Sequence, residues 1–184
     1  MSKVFGVGWA KTGTKTLGRC LRLLGFTHHG QDFSLLADVL RGDLGRVFEA
    51  ASRSEAFEDW PWILLFRELD AHFPGSRFVL TTRDPQRWVA SYRAMVRAEG
   101  PPGPDLAAIR THLFGVDPAR ATDDELIARV QRHDDEVRAH FRDRPGDLLV
   151  VDWERGDGWT TLCGFLGVPE PSPPRPFPHA NRRA

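Results

Sequence analysis

The sequence predicts an α/β protein of three layers, in which a parallel central sheet is flanked by helices. Short apolar runs alternate with stretches whose apolar residues recur at helical spacing. The order strand, turn, helix occurs over residues 3–26 and again over residues 74–99. Such alternation is typical of parallel strands joined by crossover helices. A chain of 184 residues, 41% hydrophobic and 27% charged, is long enough for one domain, residues 1–184, with its own core.

The first unit, residues 3–26, reads KVFGVGWAKTGTKTLGRCLRLLGF. Residues 4–7 indicate a buried strand, and Leu17 and Leu21 then lie at helical spacing. Gly25 is placed to end that helix. The loop between strand and helix therefore lies where helix amides and their partial positive charge attract an anion.

This loop does not have the pattern of a nucleotide hydrolase. Counting from Gly8 places Thr14 at the position where that pattern requires its lysine. Lys11 instead stands inside the turn. The loop is therefore a candidate site for an anion other than a magnesium-bound triphosphate.

The later elements repeat the alternation. In chain order we expect a brief strand in residues 55–60, a helix from Pro61, a strand over residues 77–82, a helix from Asp84 and Pro85, a long helix capped by Thr122 or Asp123, a strand within residues 147–153, a helix ending at Gly167, and an extended proline-rich tail, residues 169–184. Ligands of parallel sheets bind beyond the carboxyl ends of the strands, so Lys11, Asp59 and Arg83 are expected to face one crevice.

Charge and cysteine content exclude several classes of protein. Lys plus Arg and Asp plus Glu both number 25, so no broad positive field is present to attract nucleic acid. Cys20 and Cys163 are two isolated residues that form neither a disulfide framework nor a metal-binding spacing. We find no leader and no stretch of bilayer-spanning length. We expect a cytoplasmic protein without nucleic-acid or membrane partners, and the sequence leaves its oligomeric state open.

Three features resemble the sulfotransferases that use 3′-phosphoadenosine-5′-phosphosulfate (PAPS), in particular a short bacterial branch of them. Residues 11–14, KTGT, match the first loop of that family. Arg83 and Ser91, eight residues apart in RDPQRWVAS, match the pair that holds the 3′-phosphate of the donor. Asp59 stands two residues before Pro61, where cytosolic members of the family carry a catalytic histidine.

The resemblance implies a P-loop NTPase-like sulfotransferase fold and in-line transfer of a sulfuryl group from PAPS to a hydroxyl or amine of a small-molecule acceptor, without a metal. It implies Lys11 as the cation that stabilises the leaving group and Asp59 as the base, with His28 and His29 as rival bases. The residues that it assigns to donor binding are Lys11, Thr12, Gly13, Thr14, Lys15, Thr16, Arg83 and Ser91. Thr16 stands where relatives have an aromatic residue against adenine, and Arg182 or Arg183 would replace a basic tail motif.

Other interpretations stay open. The apolar run that ends at Asp152 also suits a P-loop kinase or hydrolase, and a non-catalytic nucleotide-binding protein would keep a degenerate loop. Residue by residue, the alternatives are Asp59 as a helix cap, Arg83 as the partner of Asp84, Glu58 on the opposite face from Asp59, His28 and His29 in a solvated turn, Trp9 and Trp60 in an acceptor pocket, His133 as a structural residue, and His179 in a segment closing over the donor.

Overall fold

A computed structural model describes residues 2–178 and contains a five-stranded sheet. The strands are β1 (Val4–Gly6), β2 (His28–His29), β3 (Ala56–Phe57), β4 (Arg77–Thr81) and β5 (Leu148–Val151). All neighbouring pairs are parallel, in the order β2-β3-β1-β4-β5. The carboxyl ends of β3, β1 and β4 therefore lie side by side at one edge of the sheet.

Eight α-helices accompany these strands within residues 2–178. They are α1 (Thr14–Leu23), α2 (Phe33–Leu40), α3 (Gly45–Ser52), α4 (Phe66–His72), α5 (Pro85–Glu99), α6 (Pro104–Phe114), α7 (Asp123–His140) and α8 (Trp159–Leu166). None of the helices in the described chain has the length and apolar character needed to cross a bilayer. His179, Arg182 and Arg183 lie outside the described residues, so the expectations for them remain predictions.

The two faces of the sheet carry different helices. Side chains alternate between faces along a strand, which separates the core residues into two sets. On one face, Val4, Ala56, Val79 and Val151 pack with α1 and α8. On the other face, Phe5, Phe57, Phe78 and Leu80 pack with α3, α4 and α7. The expected three-layer architecture, a parallel sheet flanked by helices, is confirmed.

The segment around Pro61 differs from the expected long helix. The strand before it is limited to Ala56–Phe57, and the chain then forms a short 3-10 helix, Trp62–Leu64, before α4 begins at Phe66. Leu65 separates the two helices with φ −111° and ψ 20°. Helices α2, α3 and α6 were not expected, although a signal was present in α2, where Leu35, Leu36, Val39 and Leu40 lie at helical spacing.

The expectation of a solvated turn at His28 and His29 is wrong. These residues form β2, in which His28 pairs with Ala56 and His29 with Phe57. Although β2 lies at the edge of the sheet, the side chain of His28 is only 5% exposed, because α1 packs against β2. The pairing with β3 requires long-range contacts, which a local turn pattern does not reveal.

Helix α7 begins with a capping box and is attached to the sheet through His133. The Thr122 hydroxyl accepts the Glu125 amide, and the Glu125 carboxylate accepts the Thr122 amide. His133 Nε2 donates to the carbonyl of Val7 at 2.7 Å. Burial lowers the pKa of His133 to about 4, so this imidazole is neutral at physiological pH. The structural role expected for His133 is confirmed.

Candidate active site

The loop between β1 and α1 lies against the end of β4. A Cβ at Gly8 would come within 2.1 Å of the Thr81 hydroxyl oxygen, so only glycine permits this approach. The Thr12 hydroxyl donates to the Trp9 carbonyl at 2.6 Å and lies 2.7 Å from the Thr81 hydroxyl. The Thr81 hydroxyl is therefore the donor to Thr12, and the two buried threonines fix the loop to β4.

Position 13 requires a glycine, both because of its backbone conformation and because Trp153 lies close to it. Its φ is 107°, in the left-handed region, and an added Cβ would lie 2.4 Å from Trp153 Cδ1. The Trp153 indole donates to the Gly13 carbonyl at 3.3 Å. Phe177 packs on the same indole, with ring centroids 4.9 Å apart. Trp153 thus covers the loop and is itself held by the tail.

Some amides of the loop and of the first turn of α1 already have backbone partners. Thr12 donates its amide to the Trp9 carbonyl, and Thr16 donates its amide to the Gly13 carbonyl. Gly13 is the N-cap residue of α1 and has no side chain that could accept a hydrogen bond. The amides of Gly13, Thr14 and Lys15 therefore form the start of α1, where a helix leaves donors without intrahelical partners.

Asp59 lies against this start of α1. Its Oδ2 accepts from the Thr14 hydroxyl at 3.3 Å and is 3.5 Å from Lys15 Nζ. Its Oδ1 accepts the amide of Trp60. The residue adopts φ 71° and is 4% exposed. Asp59 does not cap the following 3-10 helix, whose N-cap position is held by Pro61 without a side-chain hydrogen bond.

The expectation that Glu58 lies on the opposite face from Asp59 is wrong. Alternation stops because β3 ends at Phe57 and Asp59 takes a left-handed conformation. Glu58 is buried against α1, where a Cβ at Gly18 would come within 2.8 Å of its Oε1. Burial, and to a smaller extent the neighbouring charge of Asp59, raise the pKa of Glu58 to about 7.

The two rival bases have partners of their own. His28 Nε2 is 3.7 Å from Glu58 Oε1, and His28 Nδ1 accepts from Arg22 at 2.9 Å. Burial lowers the pKa of His28 to about 4. His29 Nε2 is 3.1 Å from the carboxylate of Asp32. His28 therefore belongs to a buried pair beside α1, whereas Asp59 contacts the loop directly.

Arg83 follows β4 and contacts the loop from the side opposite to Asp59. Its Nη1 donates to the carbonyl of Lys11 at 3.4 Å, and its Nη2 donates to Glu154 at 2.5 Å. Its Nε is shielded from solvent and has no hydrogen-bond partner. Asp84 is not the partner of Arg83, since it caps α5 by accepting the amide of Arg87.

Lys11 and Ser91 complete the set of expected site residues. Lys11 is half-buried in the loop and has φ 75°, which is unusual for a residue with a side chain. Ser91 is half-buried on α5, one turn after Arg87, and these two residues share a helix face. Lys11 and Asp59 thus lie in segments that meet α1, and Arg83 contacts the backbone of Lys11.

A cavity of about 440 Å³ opens beside the loop, between α5 and α7. Its walls include Thr12, Thr82 and Arg83 from the sheet edge and Ile127, Val130 and Asp134 from α7. Trp88 also lines it, and the Trp88 indole donates to the Ala10 carbonyl at 2.8 Å.

The α7 wall was missed by sequence reasoning. A signal was present, because Asp134 interrupts the apolar face that Val130 and Val137 define on α7. Trp9 and Trp60 do not line the cavity as expected. Trp9 is fully buried in the core, and its ring packs edge-on against Trp60.

Within residues 2–178, no three side chains of His, Cys, Asp or Glu are grouped so that they could hold a metal ion.

Comparison with known proteins gives two matches. A family model described as a sulfotransferase domain matches residues 3–184. The chain is also similar to Ava biosynthesis cluster protein M of Aspergillus versicolor, with 25% identity over 213 residues. That match covers 96% of this chain and 80% of the relative.

Proposed function

The chain belongs to the sulfotransferase domain family, and from that premise we propose that it transfers a sulfuryl group from PAPS to a hydroxyl or amine of a small-molecule acceptor. The observation that carries the proposal is the position of the Asp59 carboxylate beside the first turn of α1. Lys11 lies in the loop that leads into the same helix. The fungal relative is named for a biosynthesis cluster, which favours a small molecule as the acceptor.

The residues at the loop fit the phosphates of this donor. The amides of Gly13, Thr14 and Lys15 and the positive end of the α1 dipole suit a 5′-phosphate. Arg83 offers a shielded Nε–H without a partner, which suits an oxygen of the 3′-phosphate. Ser91 would add a hydroxyl on the same helix that follows Arg83. When bound, PAPS would supply the sulfuryl group, and adenosine 3′,5′-bisphosphate would leave through its 5′-phosphate oxygen.

Lys11 supplies a positive charge inside the loop. A cation held near an oxygen that gains negative charge stabilises a transition state more than the ground state. Its left-handed backbone costs on the order of 1 kcal/mol, and Arg83 holds that backbone through the Lys11 carbonyl. The conformation is thus maintained by a contact with the second donor-binding segment.

Asp59 supplies a proton acceptor. Each carboxylate oxygen has two lone pairs, and the contacts with Trp60, Thr14 and Lys15 leave accepting capacity on both oxygens. A carboxylate that receives the proton of the acceptor hydroxyl or amine gives general-base catalysis, worth roughly 100-fold or more. The contact with Thr14 orients this carboxylate towards the anion-binding turn.

The proposal is tested by transfer of radiolabelled sulfate from PAPS to compounds in a metabolite extract. Lys11→Ala should lower the transfer rate by about 100-fold or more, because the charge at the leaving oxygen is lost. The control is Arg19→Ala, which removes an exposed cation from the outer surface of α1 and should leave the rate unchanged. A Lys11→Ala protein that transfers sulfate at the wild-type rate would exclude this role.

Isothermal titration separates the proposal from its two alternatives. A sulfotransferase should bind adenosine 3′,5′-bisphosphate without magnesium. A P-loop kinase or hydrolase should bind ATP only with magnesium and should not respond to the bisphosphate. A non-catalytic nucleotide-binding protein should bind the bisphosphate with equal affinity before and after Lys11→Ala and give no labelled product.

A further inference from the structure

The cavity between α5 and α7 has the size of a small-molecule site and opens beside the loop. Its volume of about 440 Å³ lies within the range of small-ligand pockets. Thr12 and Arg83 belong both to its wall and to the loop region. A molecule in this cavity would therefore lie next to the proposed position of the donor phosphates.

The α7 side of the cavity carries a carboxylate with one unpaired oxygen. Asp134 lines the cavity, and its Oδ1 is shielded from solvent without any hydrogen-bond partner. Buried polar atoms are normally paired, and an unpaired one lowers stability. The pKa of Asp134 is raised to about 7, chiefly by burial and also by the charge of Asp135, although the charge of Arg138 opposes this shift. A ligand that donates a hydrogen bond or carries a positive charge would satisfy this carboxyl group.

The rest of the cavity is partly apolar and rigid. Ile127 and Val130 project from α7, and Trp88 faces them from α5. The Trp88 indole is fixed by its bond to the Ala10 carbonyl. Aromatic and branched side chains of this kind bind an apolar, ring-sized body.

Phosphates do not suit this wall. Among the described residues, Asp134 and Asp135 line it together with a single cation, Arg138, so the wall carries more negative than positive charge and disfavours a phosphate. Arg83, the other cation among the residues that line the cavity, lies on the opposite side, beside the loop. The α7 wall is therefore better suited to a second molecule than to the phosphates of the donor.

We propose that this cavity binds the acceptor, and that Asp134 pairs with an ammonium group on an acceptor that has an apolar, ring-sized body. The inference rests on the proposed function, since it assumes that a second substrate binds beside the donor. Asp134 thus selects the acceptor, whereas Asp59 does not line this cavity, so the reacting group of the acceptor must extend past Thr12 to reach it.

The test uses two probes of the same shape, tyramine and 4-ethylphenol, which differ in the ammonium group. Their affinities are measured by ligand-observed NMR on the full chain, alone and with saturating adenosine 3′,5′-bisphosphate. Wild-type protein should bind tyramine about 10-fold or more tightly than 4-ethylphenol. Asp134→Asn should remove this difference, because the amide keeps the shape but lacks the charge.

The matched control is Asp124→Asn. Asp124 is an exposed acid on α7 that does not line the cavity, so its charge is screened by water and its loss should leave the preference for tyramine intact. Val130→Phe, which fills the cavity with an apolar group, should abolish binding of both probes while the protein stays folded by thermal melting.

Three results would overturn the inference: no binding of either probe, equal binding of the two, or a preference that survives Asp134→Asn. Titration of each variant with adenosine 3′,5′-bisphosphate distinguishes this failure from failure of the proposed function. Normal nucleotide binding with no probe preference would reject the acceptor assignment alone. Absent nucleotide binding in the wild type would reject the proposed function.

Discussion

At the scale of single residues, Gly13 has the most restricted position in the loop. Its left-handed φ of 107° and the 2.4 Å approach of Trp153 both exclude a side chain. Gly13→Ala should lower the free energy of unfolding by roughly 1–3 kcal/mol, because it introduces backbone strain and a clash. The same variant should bind adenosine 3′,5′-bisphosphate more weakly, since the start of α1 must shift.

Gly164→Ala is the matched control. Gly164 lies inside α8, and nothing would lie within 4 Å of an added Cβ. Alanine favours a helix by about 1 kcal/mol over glycine, so this variant should be as stable as wild type or more stable. Urea denaturation of both variants gives the comparison, and equal losses at the two sites would contradict the account of Gly13.

Glu58 gives the protein a stability contribution that depends on pH. Its pKa rises from 4.5 in the unfolded chain to about 7 in the folded protein. This contribution is fully present below pH 4.5 and is lost as the pH rises through about 7. Glu58→Gln removes the dependence, so the variant should gain about 1–3 kcal/mol relative to wild type between pH 5 and pH 8.

His28 makes a stability contribution with the opposite pH dependence, so the effect of Glu58 can be measured only by comparison with the Glu58→Gln variant. Its pKa falls from 6.5 to about 4, so it favours the folded state increasingly as the pH rises between these values. In wild type the slopes of Glu58 and His28 oppose each other over the overlapping range. Urea denaturation at several pH values measures the difference between variant and wild type. A difference that does not change with pH would contradict the burial of a neutral Glu58.

These residues also show which parts of the candidate site can be predicted from the sequence. The loop between β1 and α1 was predictable, because glycine, threonine and lysine at fixed spacing follow a strand. Glu58 was not, since its direction depends on the left-handed conformation of Asp59, which no local pattern indicates. Asp134 depends on how α7 packs against α5, which is decided by contacts distant in sequence.

At the scale of elements, the ion pair between Arg83 and Glu154 connects the start of α5 to the segment after β5. Glu154 also accepts from Arg87 at 3.1 Å. A phosphate bound at Arg83 would compete with Glu154 for the same guanidinium. Glu154→Gln should therefore tighten binding of adenosine 3′,5′-bisphosphate by roughly two- to tenfold, the scale expected of a partly exposed ion pair.

The complementary variant is Arg83→Ala. It should weaken the binding of adenosine 3′,5′-bisphosphate by roughly tenfold or more, because charge-assisted hydrogen bonds are lost. The binding of adenosine 5′-monophosphate, which lacks the 3′-phosphate, should be affected much less. Calorimetric titration of both nucleotides gives the ratio. Equal losses for the two nucleotides would remove Arg83 from the 3′-phosphate site, and weaker binding to the Glu154→Gln protein would contradict the competition.

The elements differ in how well the sequence predicts them. The strands β1, β4 and β5 are continuous apolar runs, and α5 and α7 begin with recognisable caps at Asp84 and Thr122. By contrast, β2 contains only His28–His29 and exists because β3 pairs with it. Its hydrogen-bonding partner, and not its composition, makes it a strand.

At the scale of the whole molecule, the tail is part of the packed structure near the loop. Phe177 contacts Trp153 and also Trp159, with ring centroids 4.9 and 5.2 Å apart. The Trp159 indole donates to the carbonyl of Arg175 at 2.9 Å. The described part of the tail, residues 169–178, therefore contacts α8 at Trp159 and supports the indole that covers Gly13.

Phe177→Ala should lower the free energy of unfolding by roughly 1–3 kcal/mol, as for loss of a partly buried aromatic ring. It should also weaken binding of adenosine 3′,5′-bisphosphate, because Trp153 loses its support. Phe33→Ala is the control, since Phe33 is 51% exposed and its loss should have little effect on either quantity. Thermal melting and calorimetry measure the two effects, and a Phe177→Ala protein that matches the Phe33→Ala protein would contradict this support.

The contact between Trp153 and Gly13 joins positions 140 residues apart. During synthesis the loop leaves the ribosome early, but the indole that covers it emerges only after most of the chain has been translated. A nascent chain that stops before residue 153 would have the loop sequence without its covering side chain. The proposed anion site would therefore be completed late in translation, when the sheet that surrounds it can also be complete.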